Sequence, residues 1–210
     1  VLALSFTVKA AGEMRSRLSE LGVEGVACRT FHSAAMRQLA HFWPDLIGGD
    51  LPKVLHSKAA TLKRAAAHLN IRATDELLRG IAAEIEWRKF SMLSLDDYEK
   101  LATSRPKVAG LSADVLVQLQ RGYEETKIAS NRLDWEDVLI LTLGMLRAEP
   151  RALAHVQQQY RFFTVDEYQD ISPLQHELLD LWLGDHQDLC VVGDPNQTIY
   201  SFTGATSEYL

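Results

Sequence analysis

Cysteine is almost absent from this 210-residue chain: Cys28 and Cys190 stand far apart, each beside apolar residues. Two such thiols make neither a disulfide framework nor a zinc-ligand pattern, and both read as buried. The seven histidines include no pair at the spacing of an H-E-x-x-H site, so no structural metal is expected. Long apolar runs are lacking too. None approaches the roughly 20 residues that cross a bilayer, and the opening VLALSF is too short and uncharged for a secretory signal. A cytosolic protein without membrane contact is expected. Internal repeats and low-complexity segments are also missing, which excludes a solenoid.

Positive charge is in short supply, with a formal net charge of -6. For a nucleic-acid binder this is unfavourable, because Lys and Arg usually neutralise phosphates. The distribution is uneven, however. Residues 1–70 hold nine Lys/Arg against five Asp/Glu, and residues 71–210 hold thirteen against twenty-three. Any DNA contact is therefore expected in the N-terminal part.

What is present is apolar material in abundance, 47% of residues, enough for one large domain or two small ones. Residues 1–6 read as a strand buried on both faces of a parallel sheet. Lys9–Leu21 follows as a helix, with Ala10, Ala11, Met14, Leu18 and Leu21 at helical spacing and Gly22 as its stop. Val26–Phe31 reads as a second strand, leading into a helix over about 32–42. From about Pro44 to Asn131 only helical segments appear: 57–69, 74–87, 95–102 and 112–128, with Gly48-Gly49 and Arg105-Pro106 as breaks. A further helix covers 135–146, and the apolar runs 161–165 and 189–192 bracket another at 174–183. The expected fold is α/β, a parallel sheet from about 1–43 and 132–210, interrupted by an all-helical subdomain at about 44–131.

Chemistry concentrates in two places. In Phe163-Thr164-Val165-Asp166-Glu167-Tyr168-Gln169-Asp170 a strand ends directly in two carboxylates. Ligands of α/β sheets bind at such strand ends. One carboxylate there can hold Mg²⁺ while its neighbour orients or deprotonates a water attacking a phosphate. An acidic helix start accounts for the same residues, since Asp170 and Ser172 before Leu174 also suit N-terminal capping. Downstream, Val192-Gly193-Asp194-Pro195-Asn196-Gln197 is turn chemistry after a strand, and Gln197 can offer its amide to a phosphate or an attacking water. Tyr200 and Phe202 either stack on unpaired bases or face a core.

VDEYQD at 165–170 followed by VVGDPNQTIYSFTGA at 191–205 resembles motifs II and III of superfamily 1 DNA helicases of the Rep/UvrD/PcrA family. LSFTVKAAGEMRSRL at 4–18 resembles motif Ia, TFHSAAMRQL at 30–39 the next DNA-contacting motif, and LDWEDVL at 133–139 the family's LDFDDLL segment. The resemblance implies a RecA-like motor domain of the P-loop NTPase type using ATP and Mg²⁺. It gives Asp166 the metal, Glu167 the attacking water and Gln197 the γ-phosphate. It implies single-stranded DNA at Phe6, Thr7, Thr30, Phe31, His32, Tyr200 and Phe202, through phosphate, sugar and stacking contacts that read no sequence. Without the motif, His32 would be a helix-start histidine bonded to backbone. Lys9, Arg15 and Arg17 either face nucleic acid or form a solvated face.

Several positions depart from the family pattern. Phe202 replaces the usual Trp, Thr203 the usual γ-phosphate Arg, and Val8 the usual Asn. None of the twelve glycines is followed by lysine, so the G-x-x-x-x-G-K-[ST] phosphate loop is lacking, as is a second motor domain. The chain is expected to be an incomplete motor that does not hydrolyse ATP by itself. In the whole protein the implied activity is 3′-to-5′ translocation and unwinding at single-strand/duplex junctions. It would serve DNA repair or replication, with repair proteins as partners, in the cytoplasm or at a bacterial nucleoid. A helicase-nuclease and a non-catalytic DNA- or partner-binding module are the alternatives.

Overall fold

The computed structural model describes residues 1–198 and Tyr209. Tyr200, Phe202 and Thr203 lie outside the described residues. Along the chain the elements are β1 (Leu2–Ser5), α1 (Val8–Glu20), β2 (Ala27–Thr30), α2 (Phe31–Leu46), β3 (Lys53–Val54), α3 (Ala59–His68), α4 (Asp75–Phe90), α5 (Leu95–Leu101), α6 (Ala113–Ala129), β4 (Arg132–Leu133), α7 (Trp135–Ala148), α8 (Pro150–Gln159), β5 (Phe163–Val165), α9 (Pro173–Leu183) and β6 (Leu189–Val191). The residues described up to 198 form two compact units, Val1–Leu51 with 138–198, and Pro52–Asp137.

The first unit is α/β, as expected, around a parallel sheet of order β2-β1-β5-β6. All four residues of β1 are buried because a paired strand flanks it on either side. The strand needs apolar side chains on both faces, which is what LALS supplies apart from its last residue. Helix α1 starts where Thr7 accepts a hydrogen bond from the backbone N–H of Ala10, and it stops before Gly22, whose φ is 72°. Its buried stripe is narrower than its apolar spacing suggests. Ala11 is buried, whereas Leu21, expected on the inner face, is 76% exposed because it falls at the C-cap, beyond the last turn.

Helix α2 begins with a reciprocal capping box between Thr30 and Ser33. It does not end at Pro44, where the rhythm was expected to break. Proline in the last turn forfeits only its own N–H bond. The helix closes at Ile47, whose N–H donates to the Trp43 carbonyl, before Gly48 and Gly49 at φ 82° and 69°. Helix α8 was not anticipated; only Ala152 and Val156 of it are buried, too sparse a stripe to read, although Pro150 marks its first turn. Cys28 is buried as expected, but Cys190 is exposed. It lies on the edge strand β6, on the opposite pleat from Leu189 and Val191.

The second unit holds the expected helices as α3 to α6. Leu62, Ala65, Leu77, Ile81, Ile85, Leu119 and Tyr123 form its apolar core. To the helices it adds a two-residue parallel pairing of β3 with β4, too short to leave a periodic signal.

Candidate functional site

The parallel register places the C-terminal ends of β1 and β5 side by side, with Leu4 opposite Val165. The Asp166 N–H then donates to the Leu4 carbonyl at 3.0 Å, so the carboxylate pair emerges next to Phe6 and Thr7. A cleft of about 360 Å³ opens there, lined by Ser5, Phe6, Thr7, Asp166, Glu167, Asp170 and Gln197 among others. Residues from three of the quoted stretches thus meet at one strand-end edge, where a parallel α/β sheet presents ligands. A second cleft of about 310 Å³, between α2 and α8, is lined by no carboxylate.

The loop after β5 is unusual. Glu167 has φ 54° and ψ 39°, the left-handed region that non-glycine residues seldom occupy, at a cost on the order of 1–3 kcal/mol. This backbone turns the chain sharply into the 3-10 turn Tyr168–Asp170, burying Tyr168, Gln169 and Asp170 while leaving Glu167 exposed. Ser172 then caps α9 in a capping box with Gln175, so the capping role belongs to Ser172. Among the described residues neither Asp166 nor Glu167 forms an ion pair.

Gln169 joins this loop to the one after β6. Its Nε2 donates to Glu167 Oε2 at 2.7 Å, and its Oε1 accepts the Asp194 N–H at 3.0 Å. The approach is close enough to require glycine at 193, where a Cβ would stand 2.6 Å from Gln169 Oε1 and 3.1 Å from the backbone nitrogens of Tyr168 and Gln169. Asp194 organises the next turn. Its Oδ1 accepts the Asn196 N–H at 2.9 Å and its Oδ2 accepts from Gln197 Nε2 at 2.8 Å, and these two bonds hold its carboxyl below the usual range. Gln169, Gly193 and Asp194 were not marked by residue type alone; each acts through a contact between loops that only the pairing of β5 with β6 brings together.

The residues expected to face DNA are divided. Phe6 is half-buried and Thr7 exposed, both at the cleft. Thr30 is buried as the α2 cap, and His32 follows in the first turn, half-buried. Phe31 is 1% exposed, with its ring 6.0 Å from Trp182 in a stacked pair and 6.1 Å from Phe6. It packs as the support beneath Phe6 and presents no free face of its own. The Trp182 indole in turn donates to Gln38 Oε1 at 2.8 Å. Of the basic residues, Arg15 bonds the Cys28 carbonyl at 2.8 Å, and Arg17 makes an exposed pair with Glu13 one turn earlier on the solvated face of α1.

The cleft offers the carboxylate oxygens of Asp166 and Glu167 at a strand end, and no Lys or Arg is among the described residues that line it, a donor set suited to Mg²⁺ bound through one or two carboxylates plus phosphate. Among the described residues no group of three or more His, Cys, Asp or Glu side chains forms a self-sufficient metal site. The chain holds no glycine-lysine phosphate loop.

A family model described as the UvrD/REP helicase N-terminal domain matches residues 1–210. An ATP-dependent DNA helicase UvrD2 of Mycobacterium tuberculosis (strain ATCC 25618 / H37Rv) is 41% identical across 100% of the chain, which spans 32% of that protein. An ATP-dependent DNA helicase PcrA of Leuconostoc citreum is 32% identical over 98% of the chain and 27% of its own length. The PcrA of Staphylococcus aureus (strain Mu50 / ATCC 700699) is 29% identical over 98% of the chain and 28% of its own length. The chain therefore spans about a third or less of these curated relatives.

Proposed function

Given that the chain belongs to the UvrD/REP helicase N-terminal domain family, we propose that it supplies part of the ATP-driven motor of a DNA helicase. The single observation that carries this reading is the cleft that gathers Asp166, Glu167 and Gln197 beside Phe6 and Thr7. In this reading Asp166 takes the Mg²⁺ of Mg-ATP, which when bound neutralises phosphate charge. Glu167, unpaired with any cation among the described residues, accepts a hydrogen bond from the attacking water and aligns it. Gln197 leaves Asp194 to meet the γ-phosphate. Phe6, resting on Phe31, faces the single strand, with Thr7 and His32 toward its backbone and Tyr200 and Phe202 as stacking partners, while the buried Thr30 serves by capping the helix that carries His32.

The α/β unit is the motor portion, and Pro52–Asp137 is the helical subdomain inserted in it. Phosphate binding through a glycine-lysine loop must come from elsewhere in the protein, so this chain alone turns over no ATP. The whole protein translocates 3′ to 5′ on single-stranded DNA and opens duplex junctions in repair or replication, with repair proteins as its partners. Its place is the cytoplasm, at the nucleoid in a bacterium. No helix among the described residues is long and apolar enough to cross a membrane.

Steady-state ATP hydrolysis by the full-length protein, with and without single-stranded DNA, tests the reading beside a Glu167→Gln variant. DNA-stimulated turnover that falls at least 100-fold in the variant, about 2.7 kcal/mol of barrier, is expected. DNA binding without turnover in the unaltered protein would instead favour a non-catalytic binding module.

A further inference from the structure

We propose that Gln169 is a positioning residue for ATP hydrolysis, holding the Glu167 carboxylate in its working orientation and tying it to the turn that carries Gln197. The proposal rests on the role of Glu167 given above. Glu167 is exposed and sits on a left-handed backbone, so nothing in its own packing fixes its side chain. The hydrogen bond from Gln169 does. Gln169 is fully buried, and both ends of its amide are engaged, Nε2 with Glu167 Oε2 and Oε1 with the Asp194 N–H.

The direction of that amide is not arbitrary. The Asp194 N–H can only donate, so it requires the oxygen end of Gln169, which turns the NH₂ toward the carboxylate. A flipped amide would set an oxygen against a carboxylate oxygen and leave the half-buried Asp194 N–H unmet. With Oε2 held by Gln169, Oε1 of Glu167 is left to accept from a water in the cleft. The relay continues beyond Asp194, whose side chain holds Gln197 Nε2 at 2.8 Å. A residue that senses phosphate and a residue that orients water are therefore joined by three hydrogen bonds through one buried amide. Glycine at 193 leaves the space in which that amide lies.

A Gln169→Glu substitution keeps the acceptor for Asp194 and nearly the same volume but removes the donor to Glu167. In the full-length protein at pH 8, where the introduced carboxyl is least able to hold a proton, kcat for DNA-stimulated hydrolysis is expected to fall on the order of 10- to 100-fold. The KM for ATP should change by less than about threefold, since uniform binding is untouched. Combined with Glu167→Gln, the substitution should have no further effect on kcat beyond about twofold, because its target is already gone. A purely structural role predicts instead that the two losses multiply, and that result, or an unchanged kcat in Gln169→Glu, overturns the proposal. If Glu167→Gln itself leaves turnover intact, the reading of Glu167 fails and this proposal with it. Should Gln169→Glu not fold, as judged by its melting transition, Gly193→Ala decides. It removes no polar group but displaces Gln169, so the same selective loss of kcat supports the proposal and an unaltered kcat overturns it.

Discussion

Two segments of this chain are written in the same local grammar and do opposite things. In each a short parallel strand ends in an aspartate with more carboxylates close behind: β4 leads into Asp134, Glu136 and Asp137, and β5 into Asp166 and Glu167. In the helical unit the carboxylates are consumed. Asp134 is 2% exposed and accepts Lys89 at 2.7 Å, Lys127 at 3.0 Å and the Tyr123 hydroxyl at 2.9 Å, while Asp137 pairs with the same two lysines. Asp134 and Asp137 also exchange backbone-to-side-chain bonds that fasten the start of α7. Burial alone would raise the Asp134 carboxyl, but Lys89 and Lys127 more than offset it and hold it well below the usual range. In the α/β unit, Asp166 and Glu167 have no such lysines among the described residues and open on a cleft. Adjacent carboxylates after a strand therefore say little about function until the cations around them are located. Where lysines are buried against them they lock a fold, and where none is present they are free for a ligand.

The largest test of this contrast is Asp134→Asn. Removing the most buried of the three carboxylates that hold Lys89 and Lys127, with Asp137 and Glu124 still in place, should destabilise the helical unit by about 3 kcal/mol, read as a fall in its urea midpoint. A loss under about 1 kcal/mol would mean that the network is not the lock described.

Glu136 gives an intermediate effect with a definite sign. Its carboxyl is pushed up to about 7 by burial, a rise only partly relieved by Lys58 at 3.0 Å and reinforced by Asp134 and Glu86. The folded state thus holds this proton more tightly than the unfolded state, where the ordinary value is 4.5. The stabilisation is fully present below pH 4.5, declines as pH rises toward 7, and is lost above it. Between pH 5 and 8 the helical unit should lose on the order of 1–3 kcal/mol, and Glu136→Gln should flatten that slope. Asp134 and Glu124, held low, act in the opposite sense and only in acid, below the ordinary carboxylate range.

The smallest effect is a near-cancellation. Glu167→Gly relieves a left-handed backbone but leaves the buried Gln169 Nε2 without its acceptor, so the α/β unit should change in stability by less than about 1 kcal/mol, measured by thermal unfolding, while turnover in the full-length protein is abolished. A variant destabilised by more than that would show that Glu167 serves the fold rather than the site.

The sheet and most helices were legible because apolar spacing is a local signal. LALS and FTV are continuous enough to read as buried strands, and the doublet Asp166-Glu167 is visible by adjacency alone. What escaped was set by contacts distant in sequence. No rule of residue type distinguishes Gln169 from any other glutamine until Gly193 and Asp194 are beside it, and Lys89 cannot be matched to Asp134 before α4 and α7 are placed. The burial expected of Cys190 failed for the same reason, since whether a strand is central or an edge is a property of the sheet, not of its residues. The left-handed φ of Glu167 left no trace either, because glycine or asparagine would have announced it and glutamate does not.

The order β2-β1-β5-β6 also has a consequence in time. Its register pairs Leu2 with Phe163, so roughly 160 residues separate the two halves of the central pairing. At a synthesis rate of about 5–20 residues per second, β1 waits some ten to thirty seconds for its partner strand. During that interval LALS, apolar and open along one edge, is the segment of the nascent chain most in need of shielding from other strands. The helical unit, whose contacts close over shorter distances, can fold while it waits.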